Sequence, residues 1–299
     1  MKRVNLFLGL TFVLTWGAAF GLMAAGGLGN PYAQLIFMAF MLIPAACVIL
    51  TRAMTGEGFG DMRLALHFKG NIRWYLAAWF LPSLLIIAGA ALYFMIYSDT
   101  FDPTLSTMAA VYAQQGVMLP MKRLMLTQMA MGIFLAPALN FIPALGEELG
   151  WRGYLLPKLC EKYPAPLAAL VTGVIWGLWH APMIAMGHNY GVGYPTAPYG
   201  GIAAMVVFCI FVGALLALLS LKVRSAVPAA LAHGGLNGMA AASVWFYKGT
   251  ANPFIGPFPT GIIGGAGFIA AGLICFYFLS KGTIESNMIR EARDESGNR

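Results

Sequence analysis

The chain has 299 residues, of which 60% are apolar and 10% charged, with a formal net charge of +7. Soluble domains carry roughly 25% charged residues, so this sequence lacks the polar groups to cover a water-facing globule and contains no basic domain for nucleic acid. The four cysteines, Cys47, Cys160, Cys209 and Cys275, are scattered without CxxC spacing, which argues against a disulfide framework or a zinc ribbon.

In chain order, the apolar residues fall in blocks matching the roughly 20 residues of helix that cross a bilayer. Eight spans are predicted: Val4–Leu28, Tyr32–Leu50, Trp74–Tyr97, Leu124–Gly146, Ala165–Gly187, Gly200–Leu221, Val227–Phe246 and Gly261–Ser280. The first is longer than a signal-peptide core and reads as a retained span. The seventh is the weakest by hydropathy, because His233 and Asn237 interrupt it. Between spans, Asp99–Pro120 reads as an outer loop with a short surface helix. His188–Tyr199, rich in Gly, Pro and Tyr, reads as a constrained turn. His67 and His188 fall in loops and read as solvated. Small-xxx-small pairs at Gly17/Gly21, Gly173/Gly177, Gly234/Gly238 and Gly261/Gly265 predict close helix packing. The expectation is an all-α polytopic membrane protein, one integral domain over residues 1–299, with a solvated tail over 281–299.

Orientation follows from Lys and Arg in alternate loops. With both termini inside, 15 of the 18 basic residues lie on the cytoplasmic side, and only Lys122, Arg123 and Lys248 lie outside.

Three polar patches interrupt this apolar chain. The first is Gly146-Glu147-Glu148-Leu149-Gly150-Trp151-Arg152. On a helix Glu148 and Arg152 pair at i and i+4. Glu147 points about 100° away with no local partner, so one acid is held ionised and the other is free to exchange protons, as a general base needs. The second patch, Trp176-Gly177-Leu178-Trp179-His180-Ala181-Pro182, puts Trp176 and His180 on one face and predicts a kink at Pro182. The third, His233-Gly234-Gly235-Leu236-Asn237, aligns His233 and Asn237, two hydrogen-bond donors able to stabilise an oxyanion. Taken singly, each patch also reads as a helix-end charge cluster, a structural histidine or interhelical polar glue. Ionisable groups inside spans are expensive and mark functional sites.

The three patches resemble the Glu-Glu-x-x-x-Arg, Phe-x-x-x-His and His-x-x-x-Asn signatures of the CPBP family, the CAAX proteases and bacteriocin-processing enzymes also called Abi proteins. The resemblance covers about Leu124–Asn237 of a family core over 124–246, and departs from the pattern in having Trp176 in place of Phe, which bears on pocket shape. It implies an intramembrane endopeptidase. Glu147 is then the general base, helped by His180; His233 and Asn237 bind the oxyanion; Glu148 and Arg152 support the site; Trp176 lines the substrate pocket. Glu147, His180 and His233 also match a His₂Glu zinc set, although HExxH is missing, so a metal-free and a Zn²⁺ reading both stay open.

The implied partners are a membrane-associated peptide substrate, prenylated and CAAX-like in some relatives, and the lipid bilayer, with no nucleic acid. A proton-coupled transporter and a non-catalytic immunity or partner protein are the alternatives. The expected setting is a bacterial inner membrane with the cavity opening to the cytoplasm. By helix rise, His180 sits more than 20 Å along its span while Glu147 sits near an end. The patches meet only if helices tilt or the fourth helix continues past Arg152.

Overall fold

The computed structural model describes residues 1–281, which are helical apart from turns, loops and one isolated bridge between Phe101 and Tyr247. The expected tail lies outside the described residues from 282 onward. In order, the helices are α1 (Lys2–Ala24), α2 (Ala33–Phe40), α3 (Ile43–Thr55), α4 (Ile72–Ile96), α5 (Ser106–Gln114), α6 (Met121–Phe134), α7 (Ala136–Leu139), α8 (Phe141–Gly150), α9 (Leu156–Cys160), α10 (Ala165–Trp179), α11 (Ala181–Ala185), α12 (Tyr199–Val223), α13 (Val227–Met239) and α14 (Ala266–Ser280). Four stretches are long and apolar enough to cross a membrane unaided: Lys2–Ala24, Ala33–Thr55, Ile72–Ile96 and Tyr199–Val223. The other expected spans are shorter or broken, and proline at the first turns of α7, α9, α11 and α13 starts a new segment. α5 is the surface helix foreseen in the Asp99–Pro120 loop.

α12 forms the centre, with α10, α14 and α13 packed around it. Glycine explains how closely α10 approaches. A Cβ on Gly173 would lie 2.8 Å from the Ile210 Cα, and one on Gly177 2.5 Å from the Val206 Cα. Gly234 and Gly238 similarly face Pro137, Ala136 and Asn140 around α7. The other two pairs do not pack helices. Gly17 and Gly21 have open space around them, and Gly261 and Gly265 press against the 255–261 turn of their own loop. Spacing alone cannot tell which face of a helix meets a neighbour.

The loops gather in two clusters. At the basic end, Glu57 pairs with Lys158 at 2.5 Å and Arg3 at 3.8 Å, and the Tyr154 hydroxyl donates to it at 2.9 Å. There too Ala226 N–H donates to the Arg63 carbonyl at 2.8 Å, and His67 Nδ1 meets the Val223 carbonyl at 3.1 Å. At the other end Phe37 meets His188 edge-on at 5.1 Å, Tyr190 stacks on Phe254 at 5.3 Å, and the Tyr190 hydroxyl donates to the Thr260 carbonyl at 3.2 Å. Asp102 N–H bonds the Phe246 carbonyl there.

Burial opposes ionisation of Glu57, but the Lys158 ammonium, the Tyr154 hydroxyl and Arg52 outweigh it and hold the carboxyl below the usual range. A carboxyl with a lowered folded-state pKa stabilises the fold above its unfolded value of roughly 4.3, and loses that contribution as pH falls through the folded value. Glu57→Gln is therefore expected to lower stability by about 1–3 kcal/mol at pH 7. The gap to the parent chain closes on acidification below the folded value, as read by unfolding both proteins in detergent across pH.

Candidate active site

α8 carries Glu147 and Glu148 into the interior because its glycines let it sit against the bend between α2 and α3. A Cβ on Gly146 would lie 2.5 Å from the Met41 carbonyl oxygen, and one on Gly150 2.5 Å from the Pro44 Cβ. The chain then passes through a π-helical turn, Trp151–Leu155, wholly buried, before α9. The helical path thus continues 13 residues beyond Glu147 to Cys160, or roughly 20 Å at 1.5 Å per residue. This continuation puts Glu147 at the depth of His180 and removes the mismatch the sequence raised.

The Glu148–Arg152 pair forms as the spacing predicts, at 2.9 Å, with both side chains fully buried. Glu148 Oε1 also accepts from His233 Nδ1 at 2.9 Å. Glu147 does have a partner, but a distant one: Trp176 Nε1–H donates to its Oε2 at 2.7 Å. Trp176 is the hub of the site. Arg152 lies over its ring at 4.4 Å, and the His233 and His180 rings meet it edge-on at 5.4 and 5.7 Å. Phenylalanine at this position supplies the ring but no N–H. Gly213 on α12 leaves room for the guanidinium, since a Cβ there would lie 3.1 Å from Arg152 Nη2.

α10 ends at His180 and α11 begins after it, the break that Pro182 predicts. His180 Nδ1 bonds the Trp176 carbonyl at 2.8 Å. A carbonyl and a carboxylate only accept, so each of these imidazoles presents a proton from Nδ1 and directs Nε2 elsewhere. Glu147, Trp176, His180, His233 and Asn237 all line one cavity of about 320 Å³, a size typical of ligand sites. Its walls carry Phe37, Met41, Met183, Met205, Phe208 and Leu236, and its far rim carries Gln34, His188, Asn189 and Thr260.

Two expectations need correction. First, His188 is not a solvated loop residue. It packs on Phe37 and lines the cavity, and burial pushes its imidazole below the ordinary value, leaving it uncharged at neutral pH. Second, the cavity does not open among the basic loops. Its lining residues Gln34, Phe37, His188 and Thr260 belong to the opposite cluster, whereas Trp151, Leu155 and Leu156, toward the basic end, are fully buried. The depth estimate misled because the fourth helical path was ended too early. On the metal question that the sequence leaves open, among the described residues no three His, Cys, Asp or Glu side chains come together as a metal-binding group. Glu147, His180 and His233 share the cavity without forming a ligand triad, so no step is assigned to Zn²⁺.

Asn140 is a site residue the sequence reading missed. Its Nδ2 donates to the Gly234 carbonyl at 3.1 Å, fixing α13 between His233 and Asn237. Its one signal was a polar amide inside an apolar run beside Pro137 and Pro143.

Trp176→Phe keeps the ring over Arg152 and removes only the N–H to Glu147. A hydrogen bond to a charged group contributes about 1.5–3 kcal/mol to stability, so the variant is expected to lose stability of that order and, with Glu147 no longer pinned, to lower any kcat that depends on it by roughly tenfold or more. Parallel assays of rate and melting temperature check it.

The model of the family described as Type II CAAX prenyl endopeptidase Rce1-like matches residues 127–239, a stretch that contains all three polar patches. The curated CAAX prenyl protease 2 of Methanococcus maripaludis is 40% identical over 52 residues, which is 17% of this chain and 19% of that relative. The match therefore spans about a fifth of the relative's length.

Proposed function

We propose, for a chain that belongs to the CPBP family of CAAX proteases, the activity of an endopeptidase embedded in a bacterial inner membrane, acting on a membrane-associated peptide. A prenylated CAAX-like end is one form such a substrate takes. One observation carries the reading: Glu147 is pinned through one oxygen by Trp176 and lines the same cavity as His180, His233 and Asn237.

In this reading Glu147 takes a proton from water as the oxygen attacks the scissile carbonyl carbon. His180, held through Nδ1, steadies the water through Nε2. The carbonyl oxygen becomes an oxyanion and accepts from Asn237 and His233. Two carboxylates and one guanidinium leave one negative charge, which a doubly protonated His233 neutralises, so that its Nε2 also donates. The tetrahedral adduct collapses, the C–N bond breaks, and the proton on Glu147 passes to the leaving amine. Glu148 and Arg152 hold His233 in place without touching the peptide.

The test is cleavage of membrane-peptide substrates by the purified chain in detergent, followed by mass spectrometry. Products with a new carboxyl and a new amine, lost in Glu147→Ala, are expected. Intact peptides together with proton-coupled uptake into liposomes would replace the protease reading with a transporter.

A further inference from the structure

Reading the chain as a protease with its site in this cavity, we propose that it takes its substrate from the non-cytoplasmic face: an apolar, membrane-tethered peptide segment lying at the outer interface. The inference joins two independent observations. The cavity lining includes Gln34 at the start of α2, His188 and Asn189 after α11, and Thr260 before α14, with Gln34 and Asn189 exposed at that end and taken as its rim. These belong to the loop cluster fastened by the Phe37–His188 and Tyr190–Thr260 contacts. The opposite cluster carries the charge. Of the 18 Lys and Arg, three (Arg290, Arg293 and Arg299) lie beyond the described residues and Arg152 is buried in the site. Of the remaining 14, 11 are at the basic end and three at the rim end. Lys and Arg in short loops stay in the cytoplasm, and every loop here is short. The rim therefore faces outward.

The lining fits such a substrate. The rim offers hydrogen-bonding groups that are uncharged at neutral pH, and the walls are thioethers and aromatic rings, which adapt to varied apolar side chains. A peptide confined to the cytoplasm meets the basic end, which contributes no described residue to the cavity lining and where Trp151, Leu155 and Leu156 are fully buried. Substrates reach Glu147 after translocation, as exported peptides or membrane remnants of them.

Sidedness is read without activity. In a chain whose four native cysteines are replaced by alanine, Gln34→Cys marks the rim and Lys69→Cys the basic end, both at exposed positions. Intact bacterial cells are treated with a membrane-impermeant maleimide and compared with permeabilised cells, where labelling of both sites shows that each variant is present and accessible. The expected result is at least tenfold stronger labelling of Gln34→Cys than of Lys69→Cys in intact cells. The reverse pattern overturns the proposal. Cleavage in detergent is measured separately, so an inverted orientation removes this inference while leaving the protease reading, and absent cleavage removes the protease reading itself.

Discussion

Glu147→Gln is expected to cut peptide hydrolysis by roughly 10²–10⁴-fold, the usual contribution of a positioned general base. Glutamine has the shape of glutamate, and its carbonyl oxygen can still accept the Trp176 N–H that now reaches Oε2 at 2.7 Å. The cavity, α8 and the Glu148–Arg152–His233 chain of contacts remain, so substrate binding and melting temperature stay near the parent values and the loss falls on kcat. Steady-state kinetics on one peptide, with unfolding as control, decide the matter. A variant within about threefold of the parent rate would move the base to another group, with His180 the next candidate on the cavity wall.

Sequence and structure agree where a local rule acts. The Glu148–Arg152 pair follows from helical spacing, the break at His180 from Pro182, and the surface helix α5 from the polarity of its loop. The patches were recognisable because ionisable groups are costly among apolar residues. What stayed hidden depends on contacts far apart along the chain. Glu147 and Trp176 are 29 residues apart, and Asn140 and Gly234 are 94 apart. No periodicity announces either bond. The π-helical turn after Gly150 was equally hidden, and ending the helix before it set Glu147 near an end of its span. His188 looked like loop polarity because nothing local marks Phe37 as its neighbour.

The second large effect concerns the buried ion pair. Glu148 and Arg152 are wholly inaccessible, and Glu148 Oε2 with Arg152 Nε and Nη2 find no hydrogen-bond partner among the described residues. Attraction between such groups only partly offsets the cost of removing them from water. Removing one member is worse than removing both charges, because it strands the other. Arg152→Met is therefore expected to destabilise the fold by about 3–5 kcal/mol. Adding Glu148→Gln removes the stranded charge and retains an acceptor for His233 Nδ1, so the double variant recovers most of that loss. Contacting residues of this kind are non-additive, and the cycle of four proteins measures the coupling directly. Activity behaves differently. With Glu148 neutral, His233 keeps an acceptor at Nδ1 but loses the carboxylate that the proposed mechanism sets behind it, and its proposed part in binding the oxyanion weakens. One donor of that kind is worth roughly 10²–10³-fold in rate. The double variant should thus fold almost as well as the parent and still hydrolyse poorly. If it stays as unstable as Arg152→Met, packing rather than charge sets the role of Arg152. If it regains full turnover, the pair is structural and His233 acts without it.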